Sequence, residues 1–129
     1  MIIKGSLLKV LDNSAPTYVK CVHVYNKSSI GVYNNLILAV IVKSVQNLKI
    51  NQKSKNNFLK GTLCKAMIVQ LTRKLQRNDG TSIKFDSNSC IVLNKQMGLA
   101  GTRIIGPIAC ELIYSVFSSK FVSLAPLVI

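Results

Sequence analysis

Eleven basic side chains and no acid lie between Asp12 and Asp79: Lys20, Lys27, Lys43, Lys49, Lys53, Lys55, Lys60, Lys65, Arg73, Lys74 and Arg77. At such density ammonium and guanidinium groups neutralise phosphate oxygens, and arginine adds a planar fork that grips two oxygens at once. A surface kept basic only for solubility interleaves both signs, so the one-signed interval points to a nucleic acid or an anionic membrane surface. Over the whole chain 17 Lys and Arg stand against four acids, a formal charge of +13 with a pI near 9.9. A polyanionic partner is the expectation.

Little else in the chain suits catalysis. His23 is the only histidine and lies in the apolar run Cys21-Val22-His23-Val24, where it reads as a half-buried structural residue rather than a general base. Alternation along a strand would put Cys21 and His23 on one face, the only nucleophile-like pairing, with no carboxylate to orient it. Asp79 and Asp86 are explained more simply by a turn and an ion pair than as an acid and base. Cys21, Cys64, Cys90 and Cys110 are widely spaced among apolar or small residues, with no C-x-x-C pair. They read as buried free thiols in a reducing compartment rather than metal ligands or disulfides. No P-loop, dinucleotide fingerprint, zinc motif or nucleophile elbow occurs. The chain is expected to be no enzyme and to need neither cofactor nor metal.

The elements that must hold the cations follow from turn chemistry and apolar runs. Asp79-Gly80 suits the two positive-φ positions of a type I′ turn, which predicts a β-hairpin with a cationic arm, read locally either as a binding arm or as a solvated hairpin whose lysines maintain solubility. In that register Arg77 faces Ser82, Lys74 faces Phe85, and Arg73 faces Asp86, with a modest attraction across the strands. Apolar runs at 7–11, 19–25, 36–45, 61–71, 83–85 and 90–93 predict several short strands, hence an all-β barrel or sandwich. Polar turns such as Asp12-Asn13-Ser14-Ala15-Pro16 and Asn26-Lys27-Ser28-Ser29 separate them. The stretch 46–60 reads as a long functional loop or extended hairpin carrying Lys49, Lys53, Lys55 and Lys60.

After Gly106-Pro107 the pattern changes. Residues 108–117 could form a short helix with Pro107 in its first turn, or a strand, and the apolar end 124–129 is expected to pack on the body. A spanning helix needs about 20 apolar residues, and the run Leu36 to Val42 is too short and reads as a buried strand. The start Met1-Ile2-Ile3-Lys4-Gly5 lacks secretory or transit character, so the mature protein is expected to begin here. At 129 residues with 49% hydrophobic content, one domain with a real core is expected.

The hairpin residues also form a signature. Ala66-Met67-Ile68-Val69, nine residues, Asp79-Gly80, Phe85, Asn88 and Ile91-Val92 resemble, in order and spacing, that of the universal large-subunit ribosomal protein fourteen family. Ile91 stands where the family usually has Val. Asp12-Asn13-Ser14, Gly101-Thr102-Arg103-Ile104, Gly106-Pro107, Glu111-Leu112 and Ser123-Leu124-Ala125-Pro126 extend the resemblance along the whole chain. There are departures: Ala15-Pro16-Thr17-Tyr18 replace a Gly-Ala and a basic pair, Asn34-Asn35 replace a Gly-Asp, and Cys110 replaces a basic residue before Glu111. Residues 46–60 also look longer and more divergent than in a bacterial relative.

The resemblance implies a small five-stranded β-barrel with extended loops, about residues 1–105, and a short C-terminal helical segment and tail, about residues 106–129. It implies a structural constituent of the large ribosomal subunit that binds large-subunit rRNA and lies at the subunit interface. Further implied partners are small-subunit rRNA in an intersubunit bridge, neighbouring large-subunit proteins, and the ribosome silencing factor. On the residues of this chain, Lys20, Lys43, Lys49, Lys53, Lys55, Arg73, Lys74, Arg77 and Lys84 are expected to bind rRNA. Thr102, Arg103 and Lys120 match the family's protein-docking positions, although Gly101-Thr102-Arg103 could equally be a turn with a phosphate contact. A free-standing nucleic-acid-binding β-barrel would share the charge and fold, but would not need the C-terminal motifs. Fourteen Lys against three Arg, with abundant Ile, Asn and Leu, suit an AT-rich, organelle-encoded gene. Drift from the family's motifs and the hydrophobic bias make mitochondrial residence the expectation, with a plastid as the alternative.

Overall fold

The computed structural model describes residues 1–45, 58–114 and 118–129. Five strands close a barrel: β1 (Leu7–Val10), β2 (Pro16–Val24), β3 (Leu36–Ser44), β4 (Leu63–Gln70) and β7 (Ser89–Leu93). Neighbours run antiparallel except at the closure, where β1 and β7 pair in parallel through Lys9↔Ser89 and Val10↔Cys90. The hairpin β5 (Leu75–Gln76) and β6 (Ser82–Ile83) projects between β4 and β7 as a separate ladder. A 3-10 helix, Cys110–Tyr114, and the short helix α1, Ser118–Leu124, follow.

The alternation of side chains explains the interior. Leu8, Val19, Cys21, Ile37, Ala39, Ile41, Ala66, Ile68, Cys90 and Val92 point into the barrel and form its core, and a small barrel is filled by side chains rather than holding a channel. The run Leu36 to Val42 is buried on one face only, with Ile37, Ala39 and Ile41 inside and Leu38 and Val40 half-exposed.

The signature runs at β4 and β7 behave differently. Ala66 to Gln70 and all of β7 are buried throughout, because a second apolar layer covers their outer face. Met67, Val69 and Ile91 point outward into Leu11, Ile104, Ile108, Leu112 and Phe121. A strand buried on both faces must read as a continuous apolar run, which explains why these segments do not alternate. The C-terminal end is tied into this layer, with Leu124, Ala125 and Val128 packed on it and a parallel bridge joining Ile108 to Val128.

The first departure from the sequence expectation is the hairpin turn. A type I′ turn needs positive φ at both central residues, but only Gly80 takes it, with φ of 86°. Instead the Asp79 carboxylate accepts hydrogen bonds from the Thr81 N–H at 3.0 Å and the Thr81 hydroxyl at 2.6 Å. The loop therefore holds three residues, Asn78-Asp79-Gly80, with Gly80 N–H donating to the Arg77 carbonyl and Arg77 N–H to the Thr81 carbonyl, a type I turn closed by a glycine bulge. The register moves by one: Gln76 faces Ser82 and Leu75 faces Ile83. Arg77 thus leaves the ladder, and the expected attraction of Arg73 to Asp86 is replaced, as the ion pair found among the described residues, by Arg77 with Glu111.

His23 is the second departure. It is exposed and stacks edge-on against Tyr25 at 5.2 Å, whereas Cys21 is buried. The ladder shifts between Cys21 and His23, and the bulge rotates the histidine away from the face its neighbour occupies. At the substituted Asn34-Asn35 turn, Asn34 takes φ of 67° and the Asn35 side-chain oxygen accepts the Val32 N–H at 2.9 Å. Asparagine tolerates the left-handed region, so the turn survives without glycine.

Candidate nucleic-acid interface

The arm is anchored at its root before it offers any charge. Asn88 Oδ1 accepts the Thr72 N–H at 3.0 Å and the Thr72 hydroxyl at 3.2 Å, and Phe85 N–H donates to the Leu71 carbonyl. Ile83 and Phe85 pack with Ala109, Tyr33 and Leu75 beneath it. At its tip the Arg77 guanidinium forks onto Glu111, with Nε to Oε1 at 2.5 Å and a terminal nitrogen to Oε2 at 3.1 Å. It donates also to the Ile129 carbonyl at 2.8 Å. The hydrogen bond from Arg77 holds the Glu111 carboxyl below the usual carboxylate range, and Glu111 in turn raises Arg77.

Arg77 therefore braces the arm against the C-terminal layer. The arm's outward charge comes from Arg73, Lys74 and Lys84, all exposed and none within ion-pair distance of an acid among the described residues. Lys74 and Lys84 directly flank the Leu75↔Ile83 pair. Like charges held this close repel one another and favour an anion between them.

The barrel wall carries further cations. Lys20 on β2 and Lys43 on β3 are exposed, and Lys49, Lys53 and Lys55 lie outside the described residues. Two residues absent from the sequence expectation join them, Lys9 on β1 and Tyr18 on β2. Tyr18 lies opposite Lys9 on one neighbouring strand and opposite Lys43 on the other. Each is unremarkable alone, and only strand register brings them together.

The docking positions come from two elements. Thr102 and Arg103 belong to a loop clasped by the N-terminal turn: Asn13 Oδ1 accepts their N–H groups at 2.7 and 3.2 Å, and Asn13 Nδ2 donates to the Thr102 hydroxyl at 2.8 Å. Asp12, buried, accepts from Ser14 and from the Val92 N–H, and desolvation pushes its carboxyl up despite those bonds. Thr102 is thus committed to the clasp, whereas the Arg103 side chain is exposed. Lys120 is exposed on α1, linked to the loop through the apolar layer that contains Ile104 and Phe121.

Gly101 is the tight point of this clasp. A Cβ there would meet Asn13 Oδ1 at 2.7 Å and the Asp12 Cβ at 2.9 Å. Gly101→Ala is expected to cost about 1–3 kcal/mol, the range for overpacking a fitted site, read as a lower urea midpoint. An unchanged midpoint would show that the loop yields without cost.

Three of the four free thiols are buried, and Cys110 is half-buried. Burial pushes the Cys64 thiol up to about 11 and raises Cys21 and Cys90 as well, so at neutral pH they stay protonated and poorly nucleophilic. Among the described residues no three His, Cys, Asp or Glu side chains gather as metal ligands, and no helix is long and apolar enough to cross a membrane.

A closed barrel bearing a braced arm, whose exposed cations have no acidic partner among the described residues, has the character of a scaffold for a polyanion. Its motifs are those of one family in particular. The chain matches the family described as ribosomal protein L14p/L23e over residues 1–129 and belongs to it. Members are structural constituents of the large ribosomal subunit, with rRNA and ribosomal proteins as partners, and the family is not one of enzymes.

Proposed function

We propose that this protein fastens folds of large-subunit rRNA by backbone contacts, with Arg73, Lys74 and Lys84 on the arm and Lys20 and Lys43 on the barrel wall as phosphate ligands. The observation that carries the reading is the set of three exposed arm cations without acidic partners on a rigidly anchored hairpin. Arg77 has its fork occupied by Glu111 and supports the arm's position. Recognition is chiefly of shape and backbone rather than base edges, since the exposed groups on the arm and wall are lysines and arginines that reach phosphates. Lys49, Lys53 and Lys55 extend the same basic interval.

Within the assembled ribosome, the protein lies at the subunit interface and contributes to an intersubunit bridge with small-subunit rRNA. Arg103 and Lys120, with Thr102 holding the loop, offer a surface to a neighbouring ribosomal protein or to the ribosome silencing factor. The drift from the family's motifs and the high hydrophobic content support a mitochondrial ribosome over a plastid one. Sucrose-gradient sedimentation of mitochondrial and plastid lysates tests the setting: the protein should travel with mitochondrial large subunits.

The binding mode predicts a salt response. Five phosphate contacts give log affinity for rRNA a slope against log salt of about −3.5 to −4.5, from roughly 0.7 to 0.9 per contact. Filter binding between low and moderate salt measures it. A flat response would rule out phosphate neutralisation as the binding mode.

A further inference from the structure

We propose that Tyr18, with Lys9 and Lys43 on either side, is a stacking platform for an unpaired nucleotide of RNA. The inference rests on the rRNA-binding reading and names what one patch of the barrel wall recognises.

Three observations place the platform. Tyr18 pairs with Lys9 across β1 and β2 and with Lys43 across β2 and β3, so a tyrosine stands between two lysines on three adjacent strands. All three side chains are exposed, Tyr18 at 38%, and Lys20, two residues along β2, is exposed beside them. The local backbone is built irregularly: the ladder shifts on both sides of Tyr18, and the Thr17 hydroxyl donates to the Lys43 carbonyl at 3.1 Å, tying the two strands where they bulge. Bulges re-aim side chains, and this one leaves the ring and Lys43 together on the outer wall.

The chemistry selects the ligand. A duplex keeps its bases stacked on one another and offers only backbone to this wall, whereas an unpaired base can lie on the tyrosine face while its flanking phosphates reach the lysines. Cations beside a ring without an acid favour that ligand over a peptide, which would bring no phosphates to Lys9 and Lys43. Neither lysine has an acid within ion-pair distance among the described residues.

The test uses the full chain with two probes of equal length, a single-stranded polyuridine oligonucleotide and a blunt RNA duplex. Tyr18→Ala is expected to weaken the single-stranded probe about tenfold and leave the duplex unchanged, while Tyr18→Phe keeps wild-type binding to both. Lys9→Gln with Lys43→Gln should lower the salt slope for the single strand by about 1.4. Equal binding of the single strand by wild type and Tyr18→Ala, with salt dependence intact, would overturn the platform alone. So would loss in Tyr18→Phe as large as in Tyr18→Ala. Failure of the wild type to bind either probe would overturn the rRNA-binding reading and the platform with it. Thermal unfolding confirms that each variant is folded, as expected for exposed positions.

Discussion

Arg73→Glu, Lys74→Glu and Lys84→Glu, introduced together, are expected to keep the protein out of assembled large subunits. Three reversals of two units each lower the formal charge only from +13 to +7, so a response to net charge alone would be partial. The argument rests on place. These side chains are exposed on an arm fixed at its root by Asn88 and at its tip by Arg77, so new carboxylates would meet rRNA phosphates and could not swing away. Three lost contacts take about 2 to 3 units from the salt slope and add repulsion, and occupancy in large-subunit gradient fractions should fall about tenfold or more. Arg77→Gln is the informative companion. If Arg77 is a strut, its loss should lower arm stability and reduce incorporation less than the triple reversal does. Wild-type occupancy for the triple variant would remove the arm from the interface.

Phe121→Ala is expected to have the largest effect on stability. Phe121 is fully buried in the apolar layer over β4 and β7, against the cluster that includes Met67, Val69, Ile91, Ile108 and Leu112. Truncating a buried phenylalanine costs about 3–5 kcal/mol, a large share of the roughly 5–15 kcal/mol that holds a domain together. The melting temperature should fall by about 10–20 °C, measured by circular dichroism. The loss should also loosen Glu111 and the Arg77 brace, since the 3-10 helix that carries Glu111 packs in the same layer through Leu112. A cost under about 1 kcal/mol would mean that the barrel is stable without its outer layer, and that the continuous apolar runs of β4 and β7 are not explained by burial on both faces.

The strands were legible because their patterning is local, which left barrel and sandwich open, and the family resemblance implied the barrel. Leu8 and Val10, or Ile37, Ala39 and Ile41, announce an inward face by alternation within a few residues. The hairpin was legible for the same reason, from Asp79-Gly80, but its loop length was not. Whether Asp79 takes positive φ or spends its carboxylate on Thr81 is a competition of small energies, and the second outcome moved every arm residue by one place. His23 was misplaced by a single bulge, which no period-two pattern can reveal.

The amino-acid sequence by itself determined the strong positive charge, the β-rich chain and, through ordered motifs, the family. Charge and short-range periodicity are properties of the chain, present before it folds. Only the tertiary structure decided how the cations are shared between brace and interface. Arg77 meets Glu111 across 34 residues and Asn13 meets Thr102 across 89, while Tyr18 stands between Lys9 and Lys43 only because β2 lies between β1 and β3. Partners so distant are chosen by strand register and barrel closure, and those depend on packing the whole core at once.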